Sequence, residues 1–272
     1  MTQLSVRIGC LGGGAMGEAI LQGLLRSQIV SAERLWVSDI RPERLTALRE
    51  KYGIKVCERN QELIKAVDVL ILAIKPQSLA EVLQDIGQQV SSQQLVISIA
   101  AGIGLDFLQR FFPANTPLIR VMPNTPALIG EGVSALALGQ FAGPEHEAVG
   151  RQIFGALGQV VVVAEQMMDG VTGLSGSGPA YVFLFLEALT DAGVRVGLSR
   201  DLALTMATQT VIGAARLVQV TGQHPAVLKD MVTSPGGTTI AGLHVLEEGK
   251  MRGTLISAVV AATERSKELS KK

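Results

Sequence analysis

Short apolar runs alternate with helix-like patterns along the first part of the chain. The runs predicted as strands are residues 6–11, 35–38, 54–56, 67–74, 95–100, 118–121, 133–138 and 160–163. After the first run, apolar or small residues recur three and four positions apart from Met16 to Leu24, the spacing of one helical face. The run 67–74 is nearly all apolar, as in a strand buried on both faces of a parallel sheet. This alternation predicts an α/β, Rossmann-type doubly wound sheet.

The pattern changes after about Ala164. Helical periodicity covers residues 181–196, 202–220 and 255–269, with glycine and proline marking the breaks between them. No further strand is predicted in this part. We therefore expect two domains, an α/β domain over residues 1–164 and an all-α domain over residues 165–272.

Composition and charge narrow the class of protein. Hydrophobic residues make up 47% of the chain, and 24 basic residues balance 24 acidic ones, so the formal net charge is zero. That balance argues against a nucleic-acid partner. The N-terminus lacks a secretory signal, and no apolar stretch is long enough to span a membrane. Cys10 and Cys57 are isolated, which favours a reduced, cytoplasmic protein with no metal site.

A glycine-rich segment between the first predicted strand and helix carries the clearest chemistry. The G-x-G-x-x-G spacing is met by Gly12, Gly13, Gly14, Ala15, Met16 and Gly17. In this context the first glycine makes a tight turn, the second lets a pyrophosphate approach the backbone, and the third lets helix and strand pack closely. The helix N-terminus then attracts the phosphates. We predict a dinucleotide site; a ligand-free glycine turn is the alternative.

The ends of later strands suggest further cofactor contacts. Ser38, Asp39 and Arg41 follow the second strand, where an acidic side chain suits the ribose of NAD and an Arg suits the extra phosphate of NADP. These residues leave the cofactor preference open, and Arg41 alone fits a solvated turn equally well. Lys75 follows the fourth strand at the crevice where open α/β sheets bind ligands, so cofactor contact is favoured over a plain surface charge.

A second candidate site lies in the helical part, at residues 234–239 (SPGGTT). Its two glycines expose backbone N–H groups, and its hydroxyls add donors at the start of a predicted helix, which suits a carboxylate. A capped interhelical turn is the alternative. The histidines offer no acid for catalysis, since His224 and His146, the latter in a predicted loop, fit surface positions better.

Several segments of the chain resemble the signature segments of pyrroline-5-carboxylate reductases. They are residues 75–77 (KPQ), 122–126 (MPNTP), 174–181 (LSGSGPAY), 224–225 (HP) and 232–239 (VTSPGGTT). They occur in the family's order across essentially the whole chain. The resemblance implies a Rossmann domain, an all-α dimerisation domain that interlocks with its partner, often within larger rings, and proline biosynthesis as the setting. It also implies a reduced nicotinamide cofactor; we expect NADPH, with NADH as the alternative.

Carried over residue by residue, the resemblance extends both sites. The cofactor contacts it implies are Gly12 to Met16 in the loop, Asn60, Ala73, Lys75, Pro76, Ile99, Ala100 and Ala101. The substrate contacts are Ser234, Gly236, Gly237, Thr238 and Thr239, with Thr239 matching the family's suggested proton donor. Two positions depart from the family: Asp39 stands where a neutral Ser or Asn is common, and Met231 where some relatives carry an Asn near the cofactor.

Two other classes of protein compete with an imine reductase. A β-hydroxyacid dehydrogenase relies on a catalytic Lys in a glycine-rich helix after its Rossmann domain, but residues 173–196 contain no Lys. A regulatory protein that binds the dinucleotide without turnover is the second alternative, and the intact 234–239 segment argues against it. The predicted function is the reduction of Δ1-pyrroline-5-carboxylate to L-proline. The imine is expected to bind already protonated, so no histidine acid is required.

Overall fold

A computed structural model describes residues 4–270 and divides them into two compact units. The first unit holds residues 4–177 together with 262–270, and the second holds 178–261. Each unit is considered separately below.

The first unit is built on one eight-stranded sheet. Its strands are β1 Ile8–Leu11, β2 Leu35–Ser38, β3 Lys55–Cys57, β4 Val69–Leu72, β5 Leu95–Ser98, β6 Leu118–Met122, β7 Gly132–Leu138 and β8 Gly158–Val162. The order across the sheet is β3-β2-β1-β4-β5-β6-β7-β8, and only β6 and β7 pair antiparallel. All the predicted strands are present, and the doubly wound α/β prediction is confirmed.

Helices cover both faces of this sheet. They are α1 Ala15–Arg26, α2 Pro42–Tyr52, α3 Asn60–Ala66, α4 Pro76–Ile86, α5 Leu105–Gln109, α6 Pro144–Gly155 and α7 Met168–Val171. One buried cluster includes Ile20 and Phe154, and a second includes Leu63 and Leu79. Because β1 and β4 are apolar at every position, they can be buried on both faces.

The second unit is entirely helical in the described residues. It contains α8 Gly178–Arg195, α9 Arg200–Thr221, α10 Pro225–Met231, α11 Thr238–Glu248 and the start of α12 Met251–Ser270. The predicted all-α character is confirmed. Large apolar side chains are exposed throughout, among them Phe183 at 63% and Ile256 at 66%. An apolar surface of this extent is typical of an interface with another chain.

Two local predictions were wrong. The strand predicted over 67–74 is shorter, because the chain turns after Leu72 and Lys75 becomes the N-cap of α4. His146 lies in α6, not in a loop, and its Nδ1 accepts a hydrogen bond from the Gly143 N–H. Just before α8, residues 172–176 form a π-helical turn, in which the Ser175 hydroxyl donates to the Val171 carbonyl at 3.0 Å.

The compact units divide the chain at a different place from the predicted boundary at 164/165. Residues 165–177, which follow the last strand, belong to the first unit. The C-terminal end of α12 belongs to it too, and the Ser266 hydroxyl donates to the Asp169 carboxylate at 2.6 Å. Sequence periodicity marks where strands stop, whereas compactness depends on contacts distant in the chain.

Candidate dinucleotide and carboxylate sites

The glycine loop follows β1 in a conformation that requires glycine. Gly12 has a φ of 107°, and a Cβ there would lie 2.5 Å from the Ala73 carbonyl oxygen. Its N–H donates to the Ser38 carbonyl at 2.8 Å, which fixes the turn against β2. A Cβ on Gly17 would collide with the Gly12 carbonyl oxygen. The roles predicted for the first and third glycines therefore have a direct steric basis.

The middle glycine leaves space where a phosphate could approach. Apart from Gly14 itself and its two chain neighbours, no described atom lies within 4 Å of an ideal Cβ on Gly14. Gly14 is also the N-cap of α1, and it provides no capping side chain for the amides of the first turn, which includes Ala15 and Met16. Unpaired N–H groups at a helix N-terminus attract anions. The backbone here fits the pyrophosphate of a dinucleotide.

Two predicted cofactor residues, Ser38 and Asn60, contact each other. The buried Ser38 hydroxyl donates to the Asn60 side-chain oxygen at 2.8 Å. The bond joins the end of β2 to the start of α3. Ser38 is 1% exposed, so it serves better to orient Asn60 than to contact a ligand itself.

Asp39 is surrounded by donors. Its Oδ2 accepts from the Gly13 N–H at 2.9 Å, and both of its oxygens accept from the Arg41 side chain, with the Arg41 N–H adding a bond to Oδ1 at 3.0 Å. Burial by itself raises the pKa of Asp39, but the bonds from Arg41 and Gly13 together hold that pKa below its ordinary value. Since a carboxylate has about four acceptor positions, Asp39 is saturated by described residues.

Arg41 is the outward-facing member of this pair. Its side chain is 53% exposed, compared with 7% for Asp39, and the ion pair spans 3.1 Å. The guanidinium is thus held at the end of β2 with part of its donor fork facing solvent. In this arrangement Asp39 orients the Arg41 side chain, and Arg41 presents the exposed positive charge.

The remaining predicted cofactor residues lie at one edge of the sheet. Ala73, Lys75 and Pro76 follow β4, and residues 99–101 follow β5, which is paired with β4. The Ala73 N–H donates to the Leu11 carbonyl at 2.9 Å, next to the glycine loop. Lys75 is exposed, and Ala100 is buried with its N–H on the Ser98 hydroxyl. The predicted residues thus follow one continuous edge of the sheet.

Two residues at the glycine loop, Arg44 and Glu18, were not predicted from the sequence. Arg44, in the first turns of α2, donates through Nε to the Gly13 carbonyl and through Nη2 to the Glu18 carboxylate. Neither residue belongs to the G-x-G-x-x-G spacing, and a charged pair on two helices carries no pattern of its own.

The second unit presents the 234–239 segment as a tight turn followed by a helix. The Gly237 N–H donates to the Ser234 carbonyl at 3.1 Å, Pro235 stands second and Gly236 third with a φ of 65°. Proline followed by a positive-φ glycine is the pattern of a type II turn. The local backbone therefore explains why these residues are needed in this order.

The same turn delivers the start of α11. Gly237 is its N-cap and supplies no capping side chain, so the first amides of the helix suit a carboxylate. Thr238 is exposed and Thr239 half-buried at the first two helical positions. The exposed His224 instead caps α10, accepting from the Ala226 N–H at 3.2 Å.

Within residues 4–270, no group of three His, Cys, Asp or Glu side chains is placed to hold a metal ion. In that same range, no helix has the length and hydropathy required to cross a membrane.

The fold and the glycine loop together define the class of dinucleotide-binding oxidoreductases. Residues 7–102 match the family model "NADP oxidoreductase coenzyme F420-dependent", and residues 165–269 match "Pyrroline-5-carboxylate reductase dimerisation". A pyrroline-5-carboxylate reductase of Methanosarcina acetivorans is 47% identical over 98% of both chains.

Solved structures agree with these matches. A pyrroline-5-carboxylate reductase from Coxiella burnetii has a TM-score of 0.92 at 35% identity, covering 99% of this chain and 100% of its own. A pyrroline carboxylate reductase from Plasmodium falciparum, solved with NADP bound, has a TM-score of 0.89 at 34% identity, covering 98% and 99%. The chain belongs to the pyrroline-5-carboxylate reductase family.

Proposed function

We propose that the protein reduces Δ1-pyrroline-5-carboxylate to L-proline, the final step of proline biosynthesis, with a hydride from a reduced nicotinamide dinucleotide. The observation that carries this proposal is the 47% identity to a reductase of that name over nearly the full length of both chains. The glycine loop supports the cofactor, and the 234–239 turn supports an anionic substrate.

We propose NADPH as the preferred cofactor. Gly12 to Gly17 and the start of α1 would hold the pyrophosphate, with Asn60, Lys75, Pro76 and residues 99–101 along the same sheet edge. Asp39 is saturated by Gly13 and Arg41, which leaves it poorly suited to accept from ribose hydroxyls. Arg41 exposes a guanidinium suited to the extra phosphate of NADPH. The NADP-bound relative supports the same choice.

Ser234, Gly236, Gly237 and Thr238 would anchor the substrate carboxylate, because the turn and the first amides of α11 present donors close together. Anchoring a charged group orients the imine and converts binding into positioning, which is the main contribution of a protein to hydride reduction. A bound cofactor supplies the hydride itself.

Thr239 is proposed to act at the ring nitrogen. An imine that binds as its iminium already carries the proton, so the hydroxyl has to orient that N–H or relay a proton through water. A Thr hydroxyl is a weak acid, and orientation is therefore its principal part.

Four further proposals concern the protein as a whole. Its apolar helical surface and the match to a dimerisation model support a homodimer through residues 165–272. Assembly of such dimers into a larger ring is proposed on the family resemblance alone. The change of pattern at 164/165 supports a boundary there between cofactor and substrate parts. The two buried free thiols support a reducing, cytoplasmic setting.

The direct test is an assay of NADPH and NADH oxidation with Δ1-pyrroline-5-carboxylate as substrate. Turnover with formation of proline is expected, and NADPH should give the higher kcat/KM. Folded protein that binds the cofactor without consuming it would favour the regulatory alternative and overturn the proposal.

A further inference from the structure

The peptide groups on both sides of Gly13 are held by charged side chains from the turn after β2 and from α2. Its N–H donates to Asp39 Oδ2 at 2.9 Å, and its carbonyl accepts from the Arg44 guanidinium. Gly13 is buried, and a Cβ there would lie 2.7 Å from Leu48 of α2. The middle of the glycine loop is therefore fixed against α2 by hydrogen bonds and by close packing.

Arg44 is itself held in place by Glu18. One carboxylate oxygen of Glu18 accepts from Arg44, and the other accepts from the Lys51 ammonium at 3.0 Å and the Tyr52 hydroxyl at 2.8 Å. The Arg44 and Glu18 side chains are only 25% and 20% exposed. Hydrogen bonding from Arg44, with smaller contributions from Lys51 and Tyr52, lowers the pKa of Glu18 to about 2 against the opposing effect of burial.

Because the peptide bond is planar, the contact between Arg44 and the Gly13 carbonyl also determines the direction of the Gly14 N–H. In a trans peptide the carbonyl of Gly13 and the N–H of Gly14 lie in one plane and point in opposite directions. When Arg44 fixes the carbonyl towards α2, the Gly14 N–H is directed away from α2. The Cβ position of Gly14 is also open, with no described atom within 4 Å apart from its chain neighbours.

We propose that Arg44 is a positioning residue for the cofactor, which acts through the Gly13 carbonyl to aim the Gly14 N–H at the pyrophosphate. Glu18 orients Arg44, and Lys51 and Tyr52 hold Glu18. This inference rests on the proposed dinucleotide site, but on neither the imine substrate nor the reaction. Arg44 is assigned no contact with the cofactor itself.

Binding of three ligands by the purified enzyme, without substrate, tests the proposal. NADPH contains the pyrophosphate and the 2′-phosphate, ADP-ribose contains only the pyrophosphate, and adenosine 2′-phosphate contains only the other. For Arg44→Gln we expect Kd to rise about tenfold for NADPH and for ADP-ribose, the loss typical of a charge-assisted hydrogen bond. Adenosine 2′-phosphate should bind unchanged. An equal loss for adenosine 2′-phosphate would show that Arg44 binds that phosphate directly, and would overturn the proposal.

Arg44→Lys separates geometry from charge. An ammonium cannot reproduce the fork that joins Gly13 to Glu18, so this variant should lose affinity as Arg44→Gln does. Recovery of wild-type affinity with Lys would show that Arg44 acts only through its charge, which contradicts the proposal. Arg151→Gln, which removes an ion pair with Glu147 on α6, is the matched control and should leave all three affinities unchanged.

Glu18→Gln gives a second test, in which the direction of the change in affinity distinguishes two explanations. If Glu18 orients Arg44, its loss weakens NADPH and ADP-ribose several-fold; if its charge merely repels phosphate, its loss tightens both and the proposal fails. Failure of the reductase assay with intact binding would overturn the proposed function alone, since these measurements contain no imine.

Discussion

The glycine loop and the 234–239 turn both offer backbone amides at a helix N-terminus, but they are stabilised differently. The loop is tied by side chains from neighbouring elements, with Asp39 and Arg44 on either side of Gly13. The turn is held by its own backbone bond between Gly237 and Ser234, in a unit whose apolar side chains are largely exposed. The conformation of the glycine loop is thus fixed by side chains distant in sequence, whereas that of the 234–239 turn is fixed by its own backbone.

The difference suggests that the two sites are suited to anions of different size. A pyrophosphate is a large anion with several oxygens, and a rigid loop meets it at little ordering cost. A small carboxylate requires only a few amides in a tight turn. Substitutions at these two sites can break or sharpen this comparison, and four tests follow, from the largest expected effect to the smallest.

Replacing Gly12 and Gly14 should distinguish a loss of stability from a loss of binding. Gly12→Ala places a side chain on a φ of 107° against the Ala73 carbonyl, so we expect a lower melting temperature and at least about a hundredfold loss of NADPH affinity. Gly14→Ala meets no described atom, so the melting temperature should stay the same while affinity falls about tenfold or more. Thermal unfolding and cofactor titration measure the two effects. A Gly14→Ala enzyme with unaltered affinity would contradict the assignment of that space to a phosphate.

Thr239→Val should affect turnover and spare the cofactor. We expect kcat to fall about tenfold to a hundredfold, because orientation of the nitrogen is lost, with the Kd of NADPH unchanged. Thr239→Ser, which keeps the hydroxyl, is the matched control and should retain most activity. Full kcat in Thr239→Val across the pH range would eliminate the hydroxyl from the reaction.

Arg41→Gln tests the cofactor preference. Loss of the exposed guanidinium should lower kcat/KM with NADPH about tenfold and change the value with NADH less than about twofold. Asp39→Ser should instead weaken both cofactors, because Gly13 and Arg41 lose a shared acceptor. A selective gain with NADPH in Asp39→Ser would mean that Asp39 repels the phosphate, contrary to the saturated carboxylate described here.

Glu18 should give a small pH-dependent contribution to stability. Its pKa is lowered from 4.5 to about 2, so the folded state favours the ionised form. The stabilisation is complete above about pH 4.5 and disappears as the pH falls towards about 2. Denaturant unfolding of wild type and Glu18→Gln should differ by about 1 kcal/mol or less at neutral pH, and the gap should narrow over that window. A gap independent of pH would contradict the role of the carboxylate charge.

Local patterns predicted the sheet well, because strands such as β4 are apolar at every position and are bounded by turns. The glycine loop was equally accessible, since its spacing stands between a strand and a helix. The residues that hold the loop in place could not be predicted in this way. Arg44 and Glu18 lie 26 positions apart, and they meet because the parallel pairing of β1 with β2 places the starts of α1 and α2 at the same end of the sheet.

The helical part shows the same limit. The long helices α8, α9 and α12 were predicted from their period. The π-helical turn at 172–176 was not predicted, because tertiary contacts help to hold it: the Asn124 side chain donates to the Ser175 carbonyl at 3.2 Å. Periodicity along the chain contains no information about such a partner.

The central claim is that this protein delivers a hydride from the cofactor to the imine carbon of Δ1-pyrroline-5-carboxylate. Its most direct test uses NADPH carrying deuterium at the transferable position, with mass spectrometry of the product. We expect proline that has gained a single deuterium, formed in step with cofactor oxidation. Unlabelled proline, or a consumed cofactor with no proline formed, would contradict the account.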